Sequence, residues 1–204
     1  QLNSPFLQGN YAPWPTEDHF DNIPVTKGEI PKELSGVLYR NGPNPQFPDD
    51  NAHWFEGDGM LHALYIHDGH VSYRNRWVRT ERFKLERQAG RRLFGTMFDP
   101  SSRDPSVVDV PGLTANTNVV QHAGKLFALV ETAPPMEINP ATLETIGKWD
   151  CHGKIRQMSA HPHFDYQTGE MHNHAYTPGS TEVVYYIFNR QGEVTKAETI
   201  QAPY

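Results

Sequence analysis

Leu61-His62-Ala63-Leu64-Tyr65-Ile66-His67-Asp68-Gly69-His70-Val71-Ser72-Tyr73-Arg74-Asn75-Arg76-Trp77-Val78 is the stretch that decides the fold. Two strand-like runs, 61–66 and 71–78, flank His67-Asp68-Gly69-His70, and an Asp-Gly pair suits a tight hairpin turn. The pattern recurs. Thr117 to Gln121 and Lys125 to Val130 flank His122-Ala123-Gly124. The run from Ser159 to Phe164 meets Glu170 to Ala175 through Tyr166-Gln167-Thr168-Gly169. Glu182 to Phe188 and Glu193 to Ile200 flank Asn189-Arg190-Gln191-Gly192. Repeated short hairpins with glycine turns predict an all-β sandwich, barrel or propeller. Regular propeller blades take ~40–50 residues, which leaves room here for about four.

Upstream, residues 1–35 are rich in Pro and Asn and read as an extended arm, with Gly28 to Leu34 leading into the strand Gly36–Arg40. The sheet-forming region is then 36–204. Asn41-Gly42-Pro43-Asn44-Pro45 reads as a turn cluster. One short helix is predicted from Thr80 to Ala89, with Thr80 as N-cap, Glu81 in the first turn and Gly90 just past the end.

A net charge of −6 with no dominant basic patch gives no reason to expect a nucleic-acid partner. Cys151 stands alone, so no intramolecular disulfide can form, which fits a reducing compartment and a cytoplasmic protein. No apolar run approaches the length of a membrane span, and no signal-peptide pattern is present. The first residue is Gln rather than Met, and Gln201-Ala202-Pro203-Tyr204 stops just after a strand-like run. Both ends fit an N-terminal portion of a longer product.

The chemistry-bearing candidates centre on Ser159-Ala160-His161-Pro162. A neutral imidazole ligates Fe, Zn, Cu and Ni, and the following proline pushes His161 towards extended backbone. Eleven histidines is high for this length. Residues two apart share a strand face, so His161 with His163 and His172 with His174 are two candidate Zn or Cu pairs; exposed strand positions are the ordinary alternative. Glu131, closing the run Leu126-Phe127-Ala128-Leu129-Val130, is either a carboxylate that orients a ligand imidazole or an exposed strand end. His53-Trp54-Phe55-Glu56-Gly57-Asp58-Gly59-Met60 sets aromatics beside two glycines that permit close backbone approach, and a loop buried between strands is expected for Asp58 and Met60. Arg91-Arg92-Leu93-Phe94-Gly95-Thr96-Met97-Phe98 fits equally a loop dipping into a membrane interface or a buried connection. No P-loop, GxSxG or zincin signature occurs, and nothing supports Cys151 as a nucleophile.

Several of these motifs, in order and spacing, resemble the carotenoid cleavage oxygenase family, which includes stilbene-cleaving members and the retinal pigment epithelium isomerase. The matches run from Tyr39-Arg40-Asn41-Gly42-Pro43-Asn44-Pro45 and the 53–60 stretch through Tyr73–Thr80, Ala115–Val119 and His122–Leu126. They end with Asn139–Thr145 and Ser159–Pro162. The resemblance implies a seven-bladed β-propeller, incomplete in 204 residues, around an Fe(II) held by four histidines. His161 matches the first of those, and Glu131 matches a carboxylate that bonds another of the ligand histidines. The other three ligands would lie beyond the point matching Tyr204, so the chain alone would be inactive. The implied reaction is dioxygenase cleavage of a C=C bond by O₂ to aldehyde or ketone products. Stilbene cleavers of the family commonly hold a phenol with Lys and Tyr. Here Val130 and Met97 stand at those positions, which tilts the expected substrate towards an apolar polyene, a carotenoid or apocarotenoid. A stilbene-cleaving enzyme and a non-catalytic fragment that binds apolar ligands are the alternatives. Peripheral membrane contact through 91–98 stays open.

Overall fold

The computed structural model describes residues 2–203. Twelve strands among them form three four-stranded antiparallel sheets. The first contains β1 (His19–Phe20), β2 (Gly36–Pro43), β3 (Gly59–His67) and β4 (His70–Trp77), in the order β1-β4-β3-β2. The second runs in chain order through β5 (Asn118–His122), β6 (Lys125–Leu129), β7 (Met136–Ile138) and β8 (Thr145–Lys148). The third does the same with β9 (His163–Asp165), β10 (Glu170–Tyr176), β11 (Glu182–Phe188) and β12 (Val194–Gln201).

The expected hairpins form, except that the strand expected from Ser159 starts only at His163, leaving Ser159 to Pro162 outside it. Asp68 and Gly69 have φ of 46° and 74°, and Ala123 and Gly124 have 51° and 73°. Two successive positive φ values give the turn whose twist matches the flanking strands. His67 therefore pairs with His70, and His122 with Lys125. The helix α1 spans Glu81–Ala89; the Thr80 hydroxyl accepts from the Phe83 N–H, and Gly90 closes the helix in the left-handed region.

Three departures are informative. The turn expected at 41–45 is strand as far as Pro43, with Gly42 opposite Met60 and Pro43 opposite Gly59. Since β2 is an edge strand, the N–H that proline lacks is not missed by a neighbour on its free side. Strands β7 and β8 were not expected, because three or four half-buried residues between prolines and Gly147 give no readable alternation. Residues 2–35 are largely exposed, but they dock on the first sheet. Asn75 accepts from the Asp18 N–H at 2.5 Å and donates to the Thr16 carbonyl at 3.0 Å, and β1 extends the sheet beyond β4. The count of about four units that length allows becomes three.

The second sheet is buried on both faces, which explains the unbroken apolar run Leu126-Phe127-Ala128-Leu129. Leu126 and Ala128 pack with Leu61, Ala63 and Val78 on the side of the first sheet. Phe127 and Leu129 pack with Ala160 on the side of the third, where Trp149 bridges to Phe188 with ring centroids 5.6 Å apart. Polar ties reinforce the first seam: Tyr39 and Tyr65 each donate to the Pro140 carbonyl at 2.7 Å. Burial, and then the neighbouring Tyr65, push the Tyr39 phenol up to about 12.

Candidate functional site

An open cleft of about 820 Å³ lies where ends of all three sheets meet. The first sheet contributes Asn41 to Pro43 and the short 3-10 turn Trp54–Glu56 that precedes β3; the segment after β6 contributes Val130 and Glu131; the third sheet contributes Tyr176. His161 and Met97 complete the wall relevant here. The cleft falls within the size range of small-molecule sites.

His161 sits at the end of a tightly held turn. Ser159 and Ala160 are 2% and 0% exposed, so every polar group there needs a partner. Glu131 Oε1 accepts from the Ser159 hydroxyl at 3.1 Å and the Ala160 N–H at 2.9 Å. Asn173 accepts from the Ser159 N–H at 2.9 Å and donates to the Ser159 carbonyl at 3.0 Å. Asn118 donates to the Ala160 carbonyl at 2.9 Å. Finally the Ser159 hydroxyl accepts from the His161 N–H at 3.1 Å. Three side chains from two sheets thus fix the backbone that presents His161. Nothing in the local sequence marks Asn118 or Asn173 as a support: each is an amide in a strand, flanked by Thr117 and Val119 in one case and by His172 and His174 in the other.

The His161 ring is 67% exposed and lines the cleft, with its Nε2 3.7 Å from Glu131 Oε1, beyond hydrogen-bond range. Glu131 is therefore not simply an exposed strand end. Beside it the Tyr176 phenol is pushed above its ordinary value, by burial first and then by the Glu131 carboxylate.

The remaining histidines do not join His161. His163 lies opposite His172 in register. The His172 Nδ1 is 2.6 Å from the Tyr185 hydroxyl, and His174 stacks on Tyr176. Among the described residues no group of three or more His, Cys, Asp or Glu side chains could hold a metal ion, so the two-pair Zn or Cu arrangement is not formed. Cys151 is buried, and its thiol donates to the Gly192 carbonyl at 3.3 Å.

The aromatic–glycine stretch splits in function. Asp58 and Met60 are 4% and 1% exposed; Asp58 is in a buried loop as expected, but Met60 already belongs to β3, opposite Trp77, while Trp54, Phe55 and Glu56 line the cleft. Both glycines are needed for space. A Cβ on Gly59 would lie 2.2 Å from the Ala115 carbonyl oxygen, and one on Gly57 would lie 2.8 Å from Pro43 Cβ. The 91–98 segment also divides: Leu93 and Phe94 are buried with Val107, Arg91 pairs with Asp104 at 2.6 Å, and only Met97 and Phe98 are strongly exposed apolar residues. No helix among the described residues is long and apolar enough to cross a membrane.

Stacked antiparallel sheets with a ligand-sized cleft at their ends, and a buttressed histidine in its wall, define a β-sheet protein equipped to bind a small molecule. Residues 11–204 match the family described as retinal pigment epithelial membrane protein, and the chain belongs to that family, the carotenoid and stilbene cleavage oxygenases. It is 38% identical over 208 residues to isoeugenol monooxygenase of Pseudomonas nitroreducens, covering 99% of this chain and 43% of that protein. With resveratrol cleavage oxygenase 1 of Aspergillus fumigatus it shares 41% identity over 206 residues, covering 98% and 41%. Among solved structures, lignostilbene dioxygenase of Pseudomonas brassicacearum superposes with a TM-score of 0.92 at 33% identity, covering 100% of this chain and 44% of that one. A Synechocystis apocarotenoid oxygenase mutant superposes at 0.80 with 27% identity, covering 94% and 43%. The chain thus spans less than half the length of these relatives.

Proposed function

We propose that this chain forms the first part of a non-haem iron oxygenase that splits a conjugated C=C bond with O₂ to carbonyl products. The arrangement that carries the reading is the turn Ser159–Ala160, locked by Glu131, Asn118 and Asn173, which presents one imidazole to an open, largely apolar-walled cleft. A histidine on so fixed a backbone suits one coordination bond to a borderline metal. On this reading His161 is one member of a ligand set whose other histidines belong to the rest of the protein, and the 204-residue chain alone would be inactive. We also propose that the three sheets are three blades of a seven-bladed propeller. The iron would supply activation of O₂. The chain's own contributions are a positioned ligand, a carboxylate that fixes its backbone, and aromatic and apolar walls that orient the alkene and exclude water.

For the substrate, we favour an alkene conjugated to an aryl ring. Support comes from the relatives named for isoeugenol and resveratrol at 38% and 41% identity, and from the higher superposition on the lignostilbene enzyme. A carotenoid or apocarotenoid is the second reading, supported by Val130 and Met97 in the cleft, since neither can bond a phenolate. The test uses the full-length protein: iron is assayed, then isoeugenol, resveratrol and an apocarotenal are offered and aldehydes are separated by chromatography. Aldehyde from the aryl alkenes supports the first reading, and cleavage of the apocarotenal alone the second. Iron-loaded protein that cleaves none of them refutes both.

A further inference from the structure

We propose that Glu56 is a specificity-positioning residue: its carboxylate clamps the 93–97 loop to the Trp54–Glu56 turn and so sets where Met97 and Phe55 meet the substrate. This rests on the oxygenase reading above. Glu56 is only 8% exposed, yet it lines the cleft. One of its oxygens accepts from the His53 N–H, closing the turn that carries Trp54 and Phe55. The other accepts from the Met97 N–H, 41 residues away in sequence. The foot of the same loop is held by a second buried carboxylate, Glu86, whose Oε1 accepts from the Leu93 and Phe94 N–H groups at 2.8 and 3.2 Å. Between these anchors the loop places Thr96 and Met97 in the cleft wall, and the Met97 side chain remains half-exposed to receive a ligand. Two walls of one cleft therefore share a single carboxylate, and their separation follows from its length.

Glu56→Gln leaves one acceptor oxygen for two N–H groups. The bond to His53 closes a loop of three residues and the bond to Met97 one of 41, so the local bond is the one retained. Glu56→Asp keeps the charge but shortens the reach. Both are made in the full-length protein. The Met97 amide is expected to exchange hydrogen at least ~10-fold faster, the consequence of one lost charge-assisted bond, while the amides of Phe127 and Met171 stay protected. The ratio of kcat/KM for isoeugenol to that for resveratrol should move ~3-fold or more, chiefly through KM, with iron content unchanged. In a Met97→Ala background the Glu56 substitutions should change that ratio by less than they do alone.

Unchanged exchange at Met97 overturns the clamp. So does an unchanged ratio with both substrates turned over, or an effect that adds in full to Met97→Ala. Loss of protection at Phe127 and Met171 in both variants makes Glu56 a folding residue and likewise overturns it. If the wild-type protein cleaves neither of these two substrates, the aryl-alkene reading falls, and exchange at Met97 alone then supports or overturns the clamp.

Discussion

Gly59→Ala is the sharpest test of how the first two sheets are joined. The added methyl would sit 2.2 Å from the Ala115 carbonyl oxygen and 2.7 Å from its carbon, against an ordinary carbon contact of ~3.5–4 Å. The obstacle is main chain, so no rotamer change relieves it. Ala115 is 1% exposed and its carbonyl accepts from Asn41 at 2.7 Å, while Asn116 donates to the Phe55 and Gly57 carbonyls at 2.7 Å each. Moving Ala115 by the ångström required disturbs that set. Overpacking of this kind costs about 1–3 kcal/mol, and one weakened buried hydrogen bond adds about 1 kcal/mol. The expected loss is therefore ~2–4 kcal/mol, or a fall in Tm of roughly 4–16 °C for a domain of this size. Gly42→Ala is the control. Gly42 lies on the paired strand with nothing within 4 Å of a new Cβ, so the variant should be neutral or gain up to ~1 kcal/mol. Urea and thermal unfolding followed by circular dichroism measure both. A Gly59→Ala protein within ~0.5 kcal/mol of wild type, or a Gly42→Ala protein equally damaged, would refute the close-approach argument.

Burial raises the Asp58 carboxyl above its ordinary value, opposed by the Gln46 N–H, Arg82 and Arg92 and reinforced by Glu86. The folded protein then keeps this proton to higher pH than the unfolded chain, so stability falls as pH rises from the ordinary aspartate range through the raised folded value. Asp58→Asn should improve relative to wild type as pH rises above the ordinary aspartate range in urea titrations, and a pH-independent difference would count against it. Glu131→Ala orphans the buried Ala160 N–H and loosens the His161 turn; iron retained by the full-length protein against a chelator should drop ~10–100-fold, and unaltered retention would deny Glu131 a positioning role. Thr80→Ala removes the cap of α1 and should cost about 0.5–2 kcal/mol in urea unfolding; no change would mean that Phe83 and its neighbours hold the helix unaided.

Features that act locally are legible in the sequence. The Asp68-Gly69 and Ala123-Gly124 turns, the Thr80 cap and Gly90 each act within a few residues, so their chemistry is visible in a short window. Short outer strands escaped because β7 and β8 have too few buried positions to show a period, and β2 ran past Gly42 because an edge strand tolerates what a central one does not. At the site, His161 and Glu131 were singled out through resemblance, and their joint placement in one cleft wall is a matter of three dimensions.

The sequence by itself determined an antiparallel β protein, most of its hairpins and its helix, because alternation and turn chemistry are properties of neighbouring residues, while its ordered motifs carried the resemblance to the family. Only the tertiary structure decided that Glu131, Asn118 and Asn173 converge on Ser159–Ala160 across separations of 29, 42 and 14 residues, and that Glu56 holds Met97 across 41. The physical reason is common to both. A buried N–H or carbonyl must find a partner, and which distant side chain supplies it depends on how the sheets stack, a choice that no local pattern records.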